Sequence, residues 1–259
     1  MVKNKIHPTA IISKESHLEG EVEVGPFCVI EGRVRIGKGT KIFNNVTIKG
    51  DTEIGENNTF FSFSVIGSQP QDLKYKGEKS LLVVGNNNIF REFVTVNSGT
   101  NGKETVIGDR NLFMAYSHIA HDCKVGNDCV FANNATLGGH VEVEDKVVIG
   151  GLSAVHQFVR IGRLAIIGGC SKVVQDVVPF SMCDGHPAKV YGLNSIGLKR
   201  AKIPLEHINQ LKSVFKIIFY SQLSLPSAFR KIEQEIVSPC GEVKCLLDFL
   251  KLTKRGVSR

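Results

Sequence analysis

From Ile107 to Val173 an apolar residue returns at every sixth position without a miss: Ile107, Phe113, Ile119, Val125, Phe131, Leu137, Val143, Ile149, Val155, Ile161, Ile167 and Val173. A helix repeats near 3.6 and a strand at 2, so neither alone produces a lone period of six. A short strand followed by a sharp turn does, when each side of a coil sends one side chain inward. Such a coil buries its apolar face only by stacking on the next, which predicts a parallel β-helix of hexapeptide repeats. The same phase runs earlier through Ile6, Ile12, Leu18, Val24, Ile30, Ile36, Ile42, Ile48, Ile54, Phe60 and Ile66, and again at Val84, Phe90 and Val96. Glycine follows the apolar residue at Gly25, Gly37, Gly55 and Gly67, where freedom at positive φ would serve a corner. Asn-Asn pairs between units fit the same turn role.

Two stretches break the phase. Ser68 to Leu82 is too polar and too long for a corner, and Asn97 to Glu104 makes a shorter departure, so both are expected to leave the coil as loops. Beyond Val173 the repeat fades, and Pro187 and Gly192 mark a change of structure. Leu205, Ile208, Leu211, Phe215, Ile218 and Phe219 then share one helical face behind Pro204. Further helices are expected from near Pro226 and after Pro239. The division expected is a β-helix over 1–190 and a helical segment over 191–259, in a mainly β chain.

The opening residues, Met1 to Lys14, lack the apolar core of a secretory leader, and no run approaches the roughly 18 apolar residues that cross a bilayer. Seven cysteines without a C-x-x-C pair read as reduced, packed thiols, which suggests the cytoplasm. From Pro187 onward there are 13 Lys and Arg against 5 Asp and Glu, so residues 1–186 hold 19 against 20 and the whole positive excess sits in the tail. Dispersed basic residues without a recognition motif argue against nucleic acid and favour an acidic protein partner or simple solubility.

Four of the chain's 8 histidines, His118, His121, His140 and His156, lie along the unbroken stretch. Imidazole serves as a general base near neutral pH, and Asp122 stands beside His121 to orient it. His121 falls two residues past the inward Ile119, at a corner, and is expected to face outward. His121 and His140 are 19 apart, about one coil of 18 residues, so adjacent coils would bring them together. A metal needs three converging ligands, and no third histidine falls in phase, so metal is the second reading. With no G-x-S-x-G, Walker A or G-x-G-x-x-G, the expected nucleophile of any group transfer is the substrate itself, activated by His121, rather than a protein Ser or Cys.

In order along the chain, the stretches Gln71 to Tyr75 (QDLKY), His118 to Cys123 (HIAHDC), Ala132 to Val141 (ANNATLGGHV), Gly150 to Phe158 (GGLSAVHQF), Gly168 to Ser171 (GGCS) and Gly192 to Arg200 (GLNSIGLKR) resemble the bacterial UDP-N-acetylglucosamine O-acyltransferases over essentially the full length. The resemblance implies a left-handed parallel β-helix, a homotrimer, and active sites in clefts between subunits. It implies transfer of an (R)-3-hydroxyacyl chain from acyl carrier protein to the 3-hydroxyl of UDP-N-acetylglucosamine, the first step of lipid A biosynthesis. No cofactor is implied, since the acyl chain rides on the carrier's phosphopantetheine arm. His121 then matches the general base, Asp122 its supporting carboxylate, and Gly139 the backbone N–H that receives the oxyanion. Asp72, Lys74, His118, His140, His156, Gln157, Asn194 and Arg200 match substrate-binding positions, and Gly169 the position that limits acyl length. Acyl carrier proteins are acidic, which would give the basic tail a docking role. Asn97 stands where the family commonly has His, Ile196 where it has Glu, and Ala201 where a second Arg follows Arg200. These departures keep a 3-amino sugar nucleotide open as acceptor. The readings from other classes are a γ-carbonic-anhydrase-like metal-dependent hydratase and a non-catalytic scaffold.

Overall fold

The computed structural model describes residues 3–258. It winds as the expected left-handed parallel β-helix with three walls. The first wall has 11 strands, from Lys5–Ile6 to Ile166–Ile167 and on into the hairpin Ser181–Gly185/Ala188–Leu193. The second has 9, from Ile11–Ile12 to Lys172–Val173, and the third has 8, from His17–Leu18 to Arg160–Ile161. Every strand pair is parallel except the final hairpin. The register advances by one 18-residue coil (Thr59 opposite Lys41) but by 30 from Thr59 to Ile89 and by 23 from Ile89 to Leu112. Those longer steps are the two excursions. Strands hold Val65–Ser68 and Leu81–Val84, and then Thr95–Asn97 and Glu104–Ile107, so the loops proper span 69–80 and 98–103.

The sixth-position residues fill the interior, as their period requires. Phe60, Phe90, Phe113 and Phe131 stack in one column with each centroid 4.8 Å from the next. The first coil departs from this, since it has a neighbour on one side only: Ile6 is 46% exposed and Ile12 and Leu18 are half-buried. The corners also differ from expectation. Residues three past the inward position take positive φ whatever their type, including Phe27, Asn57, Phe63, Asn87, Tyr116 and Leu152. Of the four glycines assigned to that role only Gly67 has positive φ (+78°). Gly37 is needed for another reason. A Cβ there would lie 2.6 Å from the Gly55 carbonyl carbon of the next coil. At Asn57-Asn58 and Asn87-Asn88 the first residue takes the positive φ and the second is buried, whereas at Asn44-Asn45 and Asn133-Asn134 the second takes it. Asn58, Asn88 and Asn111 then form an internal ladder in which each amide serves its neighbour at 2.9–3.0 Å. Buried amides are tolerated because the stack satisfies them.

Cys28, Cys123 and Cys129 occupy the same small, buried corner position as those asparagines. Burial pushes the Cys123, Cys129 and Cys183 thiols up to about 12. An unfolded chain ionises its thiols above about 8.5, while the folded chain keeps these three protonated. The stability they lend is therefore complete below pH about 8.5 and lost as pH rises toward 12, at roughly 1.4 kcal/mol per thiol per pH unit. Urea midpoints of the wild type should fall between pH 8 and pH 10 more steeply than those of a Cys123→Ala/Cys129→Ala variant. Parallel slopes would contradict the account.

After Leu193 the chain becomes helical, three residues beyond the expected division: α1 (Ser195–Arg200), α2 (Leu205–Phe215, prolonged by a π turn at Lys216–Tyr220), α3 (Leu225–Glu235) and α4 (Gly241–Lys251). The three helices expected are α2, α3 and α4; α1 was not. Their apolar faces close over Leu164, Val178 and Phe180 of the last coils. The end of the chain then returns to the β-helix, where Asp176 pairs with Val257. Among the described residues, no helix is long and apolar enough to cross a membrane.

Candidate active site

At the corner between second and third walls, residues one coil apart stack in two ladders. His121, Gly139 and Gln157 form one, and Asp122, His140 and Phe158 form the other, with φ of +59°, +60° and +66°. His121 therefore meets its neighbours by coil geometry. Its ring lies edge-on to His140, centroids 5.2 Å apart, and His140 stacks on Phe158 at 4.5 Å. The ring also lies across Gly139. A Cβ on that glycine would sit 2.6 Å from His121 Cε1 and 2.7 Å from Nε2. Only a residue without a side chain lets the imidazole occupy this place.

The side chain of Asp122 is 3% exposed, yet no Lys or Arg is paired with it among the described residues. Its charge is met by hydrogen bonds instead. The Thr100 N–H (3.0 Å), the Thr100 hydroxyl (2.7 Å) and His121 Nδ1 (2.7 Å) all donate to the carboxylate. Burial pushes the Asp122 carboxyl up, but these bonds and the nearby His140 outweigh it and hold it below the usual range. An ionised carboxylate only accepts, so His121 Nδ1 carries the proton and Nε2 is left as a free base. His140 Nε2 stands 3.6 Å from the same oxygen. Burial, with opposing contributions from Asp122 and His121, lowers the His140 pKa and favours the neutral ring. Burial likewise lowers His118, whose Nδ1 lies 2.7 Å from Thr95 Oγ1.

His121 does not face open solvent: it is 9% exposed, covered by the 98–103 loop that supplies Thr100. The third metal donor missing among the histidines is a carboxylate, since ligand atoms of His121, Asp122 and His140 lie within 4.8 Å of one another. Asn194 is buried and caps α1. Its Oδ1 accepts from the Gly197 N–H at 2.8 Å, and its Nδ2 donates to the Leu164 carbonyl at 2.8 Å. Its side chain is therefore occupied within the fold. Arg200 is exposed at the end of α1, and among the described residues no hydrogen bond or ion pair joins it to the His121 group. Asp72 and Lys74 sit together on the 69–80 loop, where the Lys74 N–H donates to Asp72 Oδ1 at 2.9 Å, and the Asp72 charge reaches His140. His156 and Gln157 are exposed one coil on, and Gly169 is exposed on the corner between first and second walls. Asn97 is buried and ties down the first loop through its Nδ2 bond to the Gln69 carbonyl at 2.9 Å. Ile196 is exposed, and Ala201 ends α1.

Thr100 and Phe158 complete the cluster and were not singled out from sequence, although Phe158 follows His140 by one coil. Arg255 was also missed. The returning tail brings its Nη2 to 3.2 Å from His156 Nδ1 across 99 residues. A groove of about 1020 Å³ runs from Asp122 and His140 to this tail, bordered by Lys103, Lys124, Arg160, Lys254 and Arg255.

A hexapeptide-repeat β-helix with a buried His–Asp pair beside a groove of mixed charge defines a transferase of the hexapeptide class. Residues 104–139 match the bacterial transferase hexapeptide (six repeats), and residues 176–258 match UDP N-acetylglucosamine O-acyltransferase, domain 2. Acyl-[acyl-carrier-protein]--UDP-N-acetylglucosamine O-acyltransferase of Thermodesulfovibrio yellowstonii is 52% identical over 99% of this chain and 100% of its own length. LpxA from Acinetobacter baumannii superposes with a TM-score of 0.95 at 42% identity, covering 98% of this chain and 99% of that one. The UDP-N-acetylglucosamine O-acyltransferase of Moraxella catarrhalis gives 0.94 at 39% identity, with the same coverage. The chain belongs to the UDP-N-acetylglucosamine O-acyltransferase family.

A Gly139→Ala substitution tests the ladder. Gly139 is not in the positive-φ region, so alanine leaves the backbone unstrained but drives the His121 ring aside. Misplacing a catalytic group by an ångström costs about 10²-fold, so kcat should fall by that order while the melting temperature holds. An unchanged kcat would contradict the placement.

Proposed function

We propose that this protein transfers an (R)-3-hydroxyacyl chain from acyl carrier protein to the 3-hydroxyl of UDP-N-acetylglucosamine, the opening step of lipid A synthesis. Family membership supports the reaction, and the hydrogen-bonded His121–Asp122 pair lying over Gly139 carries the mechanism. His121 Nε2 takes the proton of the sugar hydroxyl as its oxygen attacks the thioester carbonyl. The carbonyl electrons move to the oxygen, and the Gly139 N–H, which meets no backbone acceptor among the described residues, receives that oxyanion. Collapse breaks the C–S bond, and the imidazolium returns the proton to the departing phosphopantetheine thiolate. Asp122 holds the ring in the required tautomer and stabilises it when charged.

The Lys and Arg side chains among the groove's mixed charges suit substrates that both carry phosphate, with Asp72, Lys74, His118, His140, His156 and Gln157 as binding residues on its approaches. Phe63, Phe93 and Tyr116 form an exposed stack on one corner, with centroids 5.1 and 4.8 Å apart, which fits packing against further copies in a homotrimer. A neighbouring subunit would then bring Arg200 to the cleft. The basic C-terminal segment is the docking face for acyl carrier protein, no cofactor takes part, and seven free thiols fit the cytoplasm.

The test is mass spectrometry of products from the purified protein with UDP-N-acetylglucosamine or its 3-amino analogue, and 3-hydroxyacyl carrier proteins of several lengths. An ester is expected, with a long chain admitted beside Gly169. An amide alone would mean that the acceptor has changed, and no product with either sugar would overturn the reading. Full activity after chelation would exclude a metal-dependent hydratase.

A further inference from the structure

We infer that the helical segment holds a second, structural site for a zinc-class transition-metal ion, built from His207, Cys240 and Glu242. His207 lies in the first turn of α2, Cys240 is the residue that caps the start of α4, and Glu242 is the second residue of α4. Ligand atoms of the three lie within 4.8 Å of one another. They belong to two helices that pack together, and none takes part in the acyl-transfer chemistry.

The independent sign of a ligand is a close approach that makes no bond. His207 Nδ1 stands 2.9 Å from Glu242 Oε2 as an ion pair, yet both atoms are buried and neither is aligned for a hydrogen bond. The pair is near enough for one but not aligned for it. Buried polar atoms that make no hydrogen bond are costly, and native folds rarely leave two in misaligned contact. A cation between them satisfies both lone pairs, and two ligands of one metal sit at about this separation.

The surroundings follow the pattern of a metal's outer shell. Glu206 Oε1 lies 3.8 Å from His207 Nε2, on the side of the ring away from Glu242, within reach of a small side-chain movement that would let it orient an imidazole ligand. The Cys240 N–H donates to Gln210 Oε1 at 2.9 Å, and Gln210 Nε2 donates to the Ser238 carbonyl at 3.4 Å, so α2 grips the turn that presents the thiol. Sulfur, imidazole nitrogen and one carboxylate select zinc or cobalt over calcium or magnesium, which take oxygen ligands. Three protein ligands leave the fourth tetrahedral position to water, and the half-exposed His207 leaves a path for it. The ion would clip α4 to α2.

The full-length protein, stripped with chelator, would be titrated with Co²⁺ and then Zn²⁺. The site predicts one Co²⁺ per chain with a near-ultraviolet thiolate-to-cobalt charge-transfer band, displaced by Zn²⁺, and a melting temperature raised by Zn²⁺. Cys240→Ser should lose the band, and His207→Ala and Glu242→Gln should bind about tenfold more weakly or worse, with far-ultraviolet circular dichroism unchanged. His121→Ala should keep the band, because its site contains no thiol. A band that survives Cys240→Ser, or Co²⁺ bound without any such band, would overturn the proposal.

Discussion

Alanine in place of His121 should lower kcat by about 10²–10⁴-fold, the usual contribution of a positioned general base, and leave the β-helix folded. The side chain lies on a corner ladder rather than in the column of sixth-position residues, so its loss opens no cavity in the interior. Asp122 would still accept two hydrogen bonds from Thr100. KM for either substrate should change little, because the proton moves only in the transition state. A variant that keeps a tenth or more of wild-type kcat would sink the assignment of His121 as base.

Asparagine at position 122 keeps the shape but not the charge, and should cost about as much. The carboxylate now accepts from Thr100 and from His121 Nδ1 together. An amide offers one acceptor and one donor group, so it cannot satisfy both. If its N–H₂ faces His121, the ring's proton moves to Nε2 and the base is lost. The substitution also has a pH signature. Because the folded carboxyl sits below its ordinary value, the stability it lends is present above about pH 3.9 and lost as pH falls through the folded value. The wild type's advantage over Asp122→Asn in urea should therefore shrink on acidification below about pH 4. An advantage that grew on acidification would contradict the hydrogen-bonded carboxylate.

The period of six made the walls and their interior legible, and a coil of 18 residues placed His121 beside His140 before any coordinates. What periodicity carries is stacking, and whatever does not stack escaped it. Thr100 lies on a loop whose length broke the phase, so nothing in the pattern says that it folds back onto Asp122. The α1 helix is six residues long with Gly197 inside it, too short for an apolar face to show, and so Asn194 did not read as its cap. Arg255 reaches His156 only because the tail pairs with Asp176. The corners were misread for a different reason. Propensity assigns positive φ to glycine, but the coil geometry holds even Phe, Tyr and Leu there at many corners. The glycines instead serve close approach, at Gly37 to a backbone and at Gly139 to the His121 imidazole.

The most direct measurement is a crystal structure of the protein with UDP-N-acetylglucosamine bound. The sugar's 3-oxygen is expected within about 2.6–3.2 Å of His121 Nε2, at the edge of the ring opposite Asp122, and near the Gly139 N–H. A sugar whose 3-oxygen approaches no imidazole, or reaches a different histidine, would contradict that expectation.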